Sequence, residues 1–354
     1  MLQMCAKVTF LVTTASLLCA CATVKSLPED YGKPLPFPSE YLARFCYQPS
    51  AIQEELTLIK KKTSYNVYEA SIDVGPDESG DESPITFEYY EQTADVESPV
   101  VLLLPILNGL KHLMRPFATH FAKNGYAVII VDNVQRDTLL DDLKHPESAI
   151  HKTVQHHRRV LDWAESRPEL DTDRIGVFGA SLGAFNALFL AALDKRVKVA
   201  STALVGGSLP EVLVKSNERR IEEAVAGVKA DLELSDEQLM DFLTDEIVTD
   251  TLTVAPHINA DRLLMVMARF DKTIPYENQL RLYGAMGQPR AITLPTGHAS
   301  AALYIFYLRS RVRKFFDRAL AEPVGYGTAV STDDPCSRGY TMQQSDAFPT
   351  SLIN

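Results

Sequence analysis

Hydrophobic and polar positions follow two different rhythms along this chain. Over residues 66–74 and 85–91 apolar and polar side chains alternate, with Tyr, Val, Ile and Phe on the apolar positions, which is the pattern of half-buried strands. The stretch between them, from Gly75 to Pro84, is acidic and rich in turn formers, so the two strands are expected to pair antiparallel. Alternation then gives way to continuous apolar runs at 100–104 and 127–131, the mark of strands covered on both faces of a parallel sheet. A helical pattern over 113–124, closed by Asn124 and Gly125, joins them into a strand–helix–strand unit. The unit repeats: a helix over 148–167, a strand at 174–178, a helix over 182–193 and a strand at 199–205. Further strands at 263–267 and 291–294 flank a helix starting near Tyr276, and a helix over 299–320 closes the series. The expected fold class is α/β, an open and mostly parallel sheet with helices on both faces.

Three segments fall outside that rhythm. Residues 208–260 hold no strand run and two helix starts with capping-box spacing, Ser208 to Glu211 and Ser235 to Gln238. A helical insertion between two sheet strands is expected to cap the end of the sheet. Residues 21–60 contain Pro28, Pro34, Pro36, Pro38 and Pro49 and little periodicity, and are expected to form a tether, with the folded body running from 61 to 322. Residues 323–354 are polar and read as a surface tail.

The amino terminus has one basic residue, Lys7, then an uncharged apolar stretch from Val8 to Ala20. At about 1.5 Å per residue that is about 20 Å, short of the roughly 30 Å hydrocarbon core, so it reads as a signal peptide over 1–20 and not as a spanning helix. Leu18-Cys19-Ala20-Cys21 resembles the lipobox of bacterial lipoproteins. The resemblance implies that Cys21 is diacylated and becomes the first mature residue, anchoring the protein in the cell envelope. Ala22, where an inner-membrane retention signal would place Asp, points to the outer membrane in an organism with two. The competing reading is an ordinary secretory signal cut near Ala20 or Ala22. Cys46 and Cys336 are then the remaining thiols in an oxidising compartment, and whether they pair stays open, since sequence separation sets no geometry.

Charge narrows the choice of partners. The chain has 354 residues, 46 acidic against 35 basic, and a net charge of −11. Loss of residues 1–20 removes Lys7 and no acid, leaving −12. A nucleic-acid binder needs clustered Lys and Arg and is not expected.

The chemistry is carried by Gly179-Ala180-Ser181-Leu182-Gly183, placed between a strand and a helix. A serine on that turn needs unusual backbone dihedrals, and the flanking glycines let strand and helix approach. A serine hydroxyl is a weak nucleophile until a general base, itself oriented by an acid, stands beside it. The strand at 263–267 runs into Asp271-Lys272-Thr273-Ile274-Pro275, and the strand at 291–294 into Gly297-His298. In this order, Ser then Asp then His, residues 85–320 resemble the α/β-hydrolase superfamily. The resemblance implies Ser181 as nucleophile, His298 as general base and then acid, and Asp271 as the group that orients the imidazole. Glu211 and Asp132 are the alternative acids.

The oxyanion donors are expected to be the backbone N–H of Leu182 and one from the loop Pro105-Ile106-Leu107-Asn108-Gly109, with Leu107 preferred over Ile106. Many relatives begin this loop His-Gly, and this chain does not. Asn108 and His112 are candidate pocket residues. Among the other histidines, His156 and His157 beside Arg158 and Arg159 are expected on a solvated helix face. Lys111, Arg115, Arg269 and Lys272 would favour an anionic substrate only if one pointed inward. No zinc-type spacing occurs and no metal or cofactor is expected.

The arrangement is similar to dienelactone-hydrolase-like and acetyl-esterase-like branches, although a serine nucleophile in place of cysteine argues against a true dienelactone hydrolase. The expected activity is hydrolysis of small or medium carboxylic esters. The alternative is a lipid-anchored binding or assembly protein on a retained hydrolase scaffold.

Overall fold

The computed structural model of the chain describes residues 22–48, 50–75, 83–107, 109–132 and 139–321. The leader, Cys21, Asn108, Cys336 and the tail at 323–354 lie outside the described residues.

Among the described residues ten strands form one sheet. In chain order they are β1 (Thr23–Lys25), β2 (Gln53–Lys61), β3 (Tyr65–Asp73), β4 (Ile85–Gln92), β5 (Ser98–Leu104), β6 (Ala127–Val131), β7 (Leu170–Ala180), β8 (Val197–Ala203), β9 (Leu263–Ala268) and β10 (Arg290–Leu294). Their spatial order is β1-β10-β9-β8-β7-β5-β6-β4-β3-β2. Strands β5 to β10 are parallel to one another, while β2, β3, β4 and β1 join antiparallel at the two sides.

The helices are α1 (Ser39–Leu42), α2 (Lys111–Ala122), α3 (Pro146–Glu165), α4 (Leu182–Leu193), α5 (Leu209–Lys215), α6 (Arg219–Asp231), α7 (Asp236–Glu246), α8 (Thr251–Val254), α9 (Tyr276–Ala285) and α10 (Ile305–Ala321). The apolar runs are continuous because each strand serves two cores. In β5, Val100, Leu102 and Leu104 face a core shared with α3 and α4, whereas Val101 and Leu103 face one shared with α2 and α10. A parallel sheet with helices on both faces demands that sequence.

Four expectations are corrected. Residues 22–48 and 50–61 are bound to the body and form no free tether. β1 pairs with β10, the backbone N–H of Leu35 donates to Pro256 O at 2.9 Å, and Phe37 packs edge-on against His257. Tyr41 donates to Thr249, Phe45 is fully buried against Phe189, and β2 pairs with β3 over its length. Prolines removed periodicity, but the aromatic residues between them supply the packing.

His156 and His157 are buried, not solvated, because α3 turns that face toward the sheet. Burial, with the neighbouring His156 adding to it, pushes the His157 imidazole down to about 3, so it stays neutral. Arg159 is buried too, bonded to Asp162 and to Ser50.

The insertion between β8 and β9 is helical as expected, but its two starts differ. Ser235 closes a full capping box with Gln238. Ser208 does not: it has φ 60°, and Asp250 accepts from the backbone N–H groups of Ser208 and Leu209 in its place. The last helical segment also begins differently, as a 3-10 turn over Ala299–Tyr304 before α10.

Cys46 is disulfide-bonded, and every other cysteine of the chain lies outside the described residues.

Candidate active site

Ser181 stands between β7 and α4 with φ 52° and ψ −121°, a region that costs a non-glycine residue about 1–3 kcal/mol. The two glycines explain how the turn closes. A Cβ on Gly179 would lie 2.0 Å from Gly183 O, and one on Gly183 would lie 2.0 Å from Leu104 O. Strand, turn and helix therefore meet backbone to backbone. The Ser181 N–H donates to Ala203 O at 2.8 Å, which pins the turn to the neighbouring strand.

The loops after β9 and β10 are joined to each other. Arg269 N–H donates to Leu294 O and Phe270 N–H to Thr296 O, both at 2.9 Å. This pairing brings Asp271 to His298. His298 Nδ1 lies 2.7 Å from Asp271 Oδ2, and Nε2 lies 3.1 Å from Ser181 Oγ. With Nδ1 protonated toward the carboxylate, Nε2 is left to accept the serine proton.

Asp271 has no exposed side-chain surface, yet every demand of its charge is met. Oδ1 accepts from the N–H groups of Thr273 and Ile274, both at 2.9 Å, and Oδ2 also accepts from Gln279 Nε2 at 3.3 Å. A buried carboxylate survives only with such partners. Gln279, fully buried in the first turn of α9, escaped sequence reading. It also donates to Ile274 O and accepts from Ala268 N–H, tying both ends of the acid loop together. The available signal was an amide pair, Asn278-Gln279, on the inward face of a helix that follows the Asp-to-Pro turn.

The alternative acids are engaged elsewhere. Glu211 pairs with Arg281 and Lys215, and its hydrogen bond with Arg281, foremost among these contacts, holds it down to about 2. Asp132 binds Lys111 and Thr86. Of the four cations considered as anion hooks, Lys111 and Arg115 are spent on Asp132 and Glu88, and Arg269 and Lys272 are exposed.

Leu182 opens α4 and Leu107 lies in the loop after β5. Both line a chamber beside Ser181, and among the described residues neither backbone N–H has an acceptor. Ile106 faces a different chamber, together with His298. The first chamber encloses about 670 Å³ with its open mouth included and is walled on the cap side by Leu209, Val212, Leu213 and Ile221. The second, about 630 Å³, lies between α2 and α10 and is lined by Met114, Phe117, Phe178 and Ile305. His112 is exposed and lines neither of these two chambers. Solvent claims it because the first turn of α2 turns Met114 inward and His112 outward.

Known proteins resemble this chain in part. Residues 87–234 match the Dienelactone hydrolase family. An Escherichia coli protein described as "Uncharacterized 31.7 kDa protein in traX-finO intergenic region" is 29% identical over 143 residues, which are 40% of this chain and 48% of that protein. The chain thus spans about half the length of the curated relatives it matches. An acetyl xylan esterase from Paenibacillus sp. R4 superposes with a TM-score of 0.61 at 20% identity, covering 79% of this chain and 92% of that one. Acetyl xylan esterase 1 from Thermoanaerobacterium sp. JW/SL YS485 superposes with a TM-score of 0.58 at 16% identity, covering 80% and 99%.

Proposed function

Starting from a chain with the fold of the α/β-hydrolase superfamily, we propose that it is a serine hydrolase of carboxylic esters, working through Ser181, His298 and Asp271. The observation that carries this reading is His298, whose two ring nitrogens lie 2.7 Å from Asp271 and 3.1 Å from Ser181. The similarity to acetyl xylan esterases supports the reaction class.

In the proposed reaction Ser181 Oγ attacks the ester carbonyl while His298 Nε2 takes its proton. The oxyanion that forms is met by the N–H groups of Leu182 and Leu107, which are already unspent. His298 returns the proton to the leaving alcohol as the C–O bond breaks, giving an acyl-enzyme. Water then repeats the sequence and releases the acid. Asp271 holds the imidazole in place and stabilises the imidazolium. The oxyanion donors line the cap-side chamber, so the acyl group belongs there. Its aliphatic walls suit a small or medium apolar acyl chain. Among the described residues no helix is long and apolar enough to cross a membrane. Membrane attachment is proposed to come from acyl chains on Cys21, placing the enzyme in the bacterial envelope.

A fluorophosphonate probe tests the reaction. The expected result is one adduct, on Ser181, lost on unfolding and reduced at least 100-fold by His298→Ala. An unlabelled folded protein would leave the binding-protein reading in place, and equal labelling of His298→Ala would remove His298 as the base.

A further inference from the structure

The register of β1 carries information about how the site faces its surroundings. β1 runs antiparallel to β10, with Thr23 opposite Thr293, Val24 opposite Ile292 and Lys25 opposite Ala291. The amino-terminal end of β1 therefore sits at the carboxyl end of β10, four residues before His298. Ala22 packs into the same core as Ala301 and Tyr304, in the turn that follows that histidine. Four strand spacings separate β1 from β7, about 19 Å at about 4.8 Å each. Two more residues reach position 21, at most about 7 Å on. Acyl chains on Cys21 would thus begin within about 26 Å of Ser181, and on the edge of the sheet where the triad stands.

No slack intervenes. Lys25 lies over the Tyr283 ring, and Leu35, Tyr41 and Phe45 hold the following segment to the body. A lipid at residue 21 would then fix an orientation.

The surface around that edge is unusual for a chain of net charge −11. Phe270 is 62% exposed, Leu303 67% and Phe306 68%. All three follow the carboxyl ends of β9 and β10, the two strands nearest β1. Exposed Arg269 and Lys272 flank Phe270, and the Arg309 guanidinium lies 4.5 Å from the centre of the Phe306 ring. Large apolar side chains beside cations are the composition of a surface that enters the headgroup layer of a bilayer.

We propose that this face, with Phe270, Leu303 and Phe306, docks on a lipid bilayer, so that the catalytic site takes its ester substrates from the membrane surface. The proposal rests on the anchored-esterase reading above and adds the orientation. Two acyl chains already hold a protein on a membrane. The apolar face therefore governs how the site meets lipid, not whether the protein is bound.

The test uses the full chain made with its own leader, purified in detergent and reconstituted into phosphatidylethanolamine–phosphatidylglycerol vesicles. Mass measurement of the amino-terminal peptide reads acylation of Cys21. Brominated acyl chains read depth in Leu303→Trp, with Lys123→Trp on the opposite edge as control, against buried Trp163. Quenching of at least half the added Leu303→Trp emission, with none for Lys123→Trp, is expected. The pair Leu303→Asp and Phe306→Asp should lower hydrolysis of a vesicle-embedded ester at least fivefold and leave a water-soluble acetate ester within twofold. An acylated protein with unquenched Leu303→Trp, or with equal losses on both esters, overturns the orientation and leaves the anchor standing. An unacylated Cys21 overturns the anchor and the orientation with it, while leaving the hydrolase reading intact.

Discussion

Asp271 and the cap helix α6 show how differently two parts of one site can be held. Asp271 is wholly enclosed and bonded to His298, two backbone N–H groups and Gln279. In α6, only Val228 of thirteen residues is buried, and in α7 only Leu239 and Leu243. Local stability follows buried contact, so the cap can open at much lower cost than the loops that carry Asp271 and His298. The chemistry needs sub-ångström placement, and the covering layer needs only to exclude water and admit an acyl chain. Substrate preference is therefore the property that can drift without harm to the reaction.

The most forceful way to break this comparison is Asp271→Asn. It keeps the shape but loses the charge that orients the imidazole, and kcat should fall by about 10⁴-fold with the KM little changed. Steady-state rates on a nitrophenyl ester read this directly. Gln279→Leu strips a buried partner from Asp271 and from Ala268 N–H. It should cost about 1–3 kcal/mol in denaturant unfolding and about tenfold in kcat. A loss of rate measured where the variant is still fully folded would separate positioning from packing. Asp250→Ala acts on the other side of the comparison. It frees the amides at the start of α5 and should cost about 1 kcal/mol, raise hydrogen exchange across the cap helices, and shift KM more than kcat. An equal loss in kcat would show that the cap and the triad are not held independently.

The parallel half of this fold was legible because covered strands must be apolar on both faces, and 100–104, 127–131 and 263–267 are apolar runs too short for helices. Ser181, Asp271 and His298 were legible because each follows such a strand at a turn whose residues are constrained. What escaped was held by long-range contact. Gln279 gains its role from the loop it closes over, and Asp250 caps a helix 41 residues earlier in the chain. The segment at 22–61 misled because prolines erase periodicity while Tyr41 and Phe45 still find a core. His156 and His157 misled in the opposite sense: their neighbours Arg158 and Arg159 suggest solvent, but Asp194 and Asp162 receive those charges inside the protein. Burial would raise Asp194, and its hydrogen bond to Arg196 together with Arg158 outweighs that and holds it at about 2.

A sheet of ten strands has two borders, and each could recruit a strand from another molecule. At one border β2 breaks register between Leu58 and Lys60 and displays Glu54, Glu55, Lys60 and Lys61, which repel a newcomer. At the other, the backbone N–H and C=O groups of β10 are paired by Thr23, Val24 and Lys25. Those three residues are the guard against self-association. Any processing that trims the chain past them leaves Ser181, Asp271 and His298 in place and creates an adhesive border on an otherwise guarded sheet.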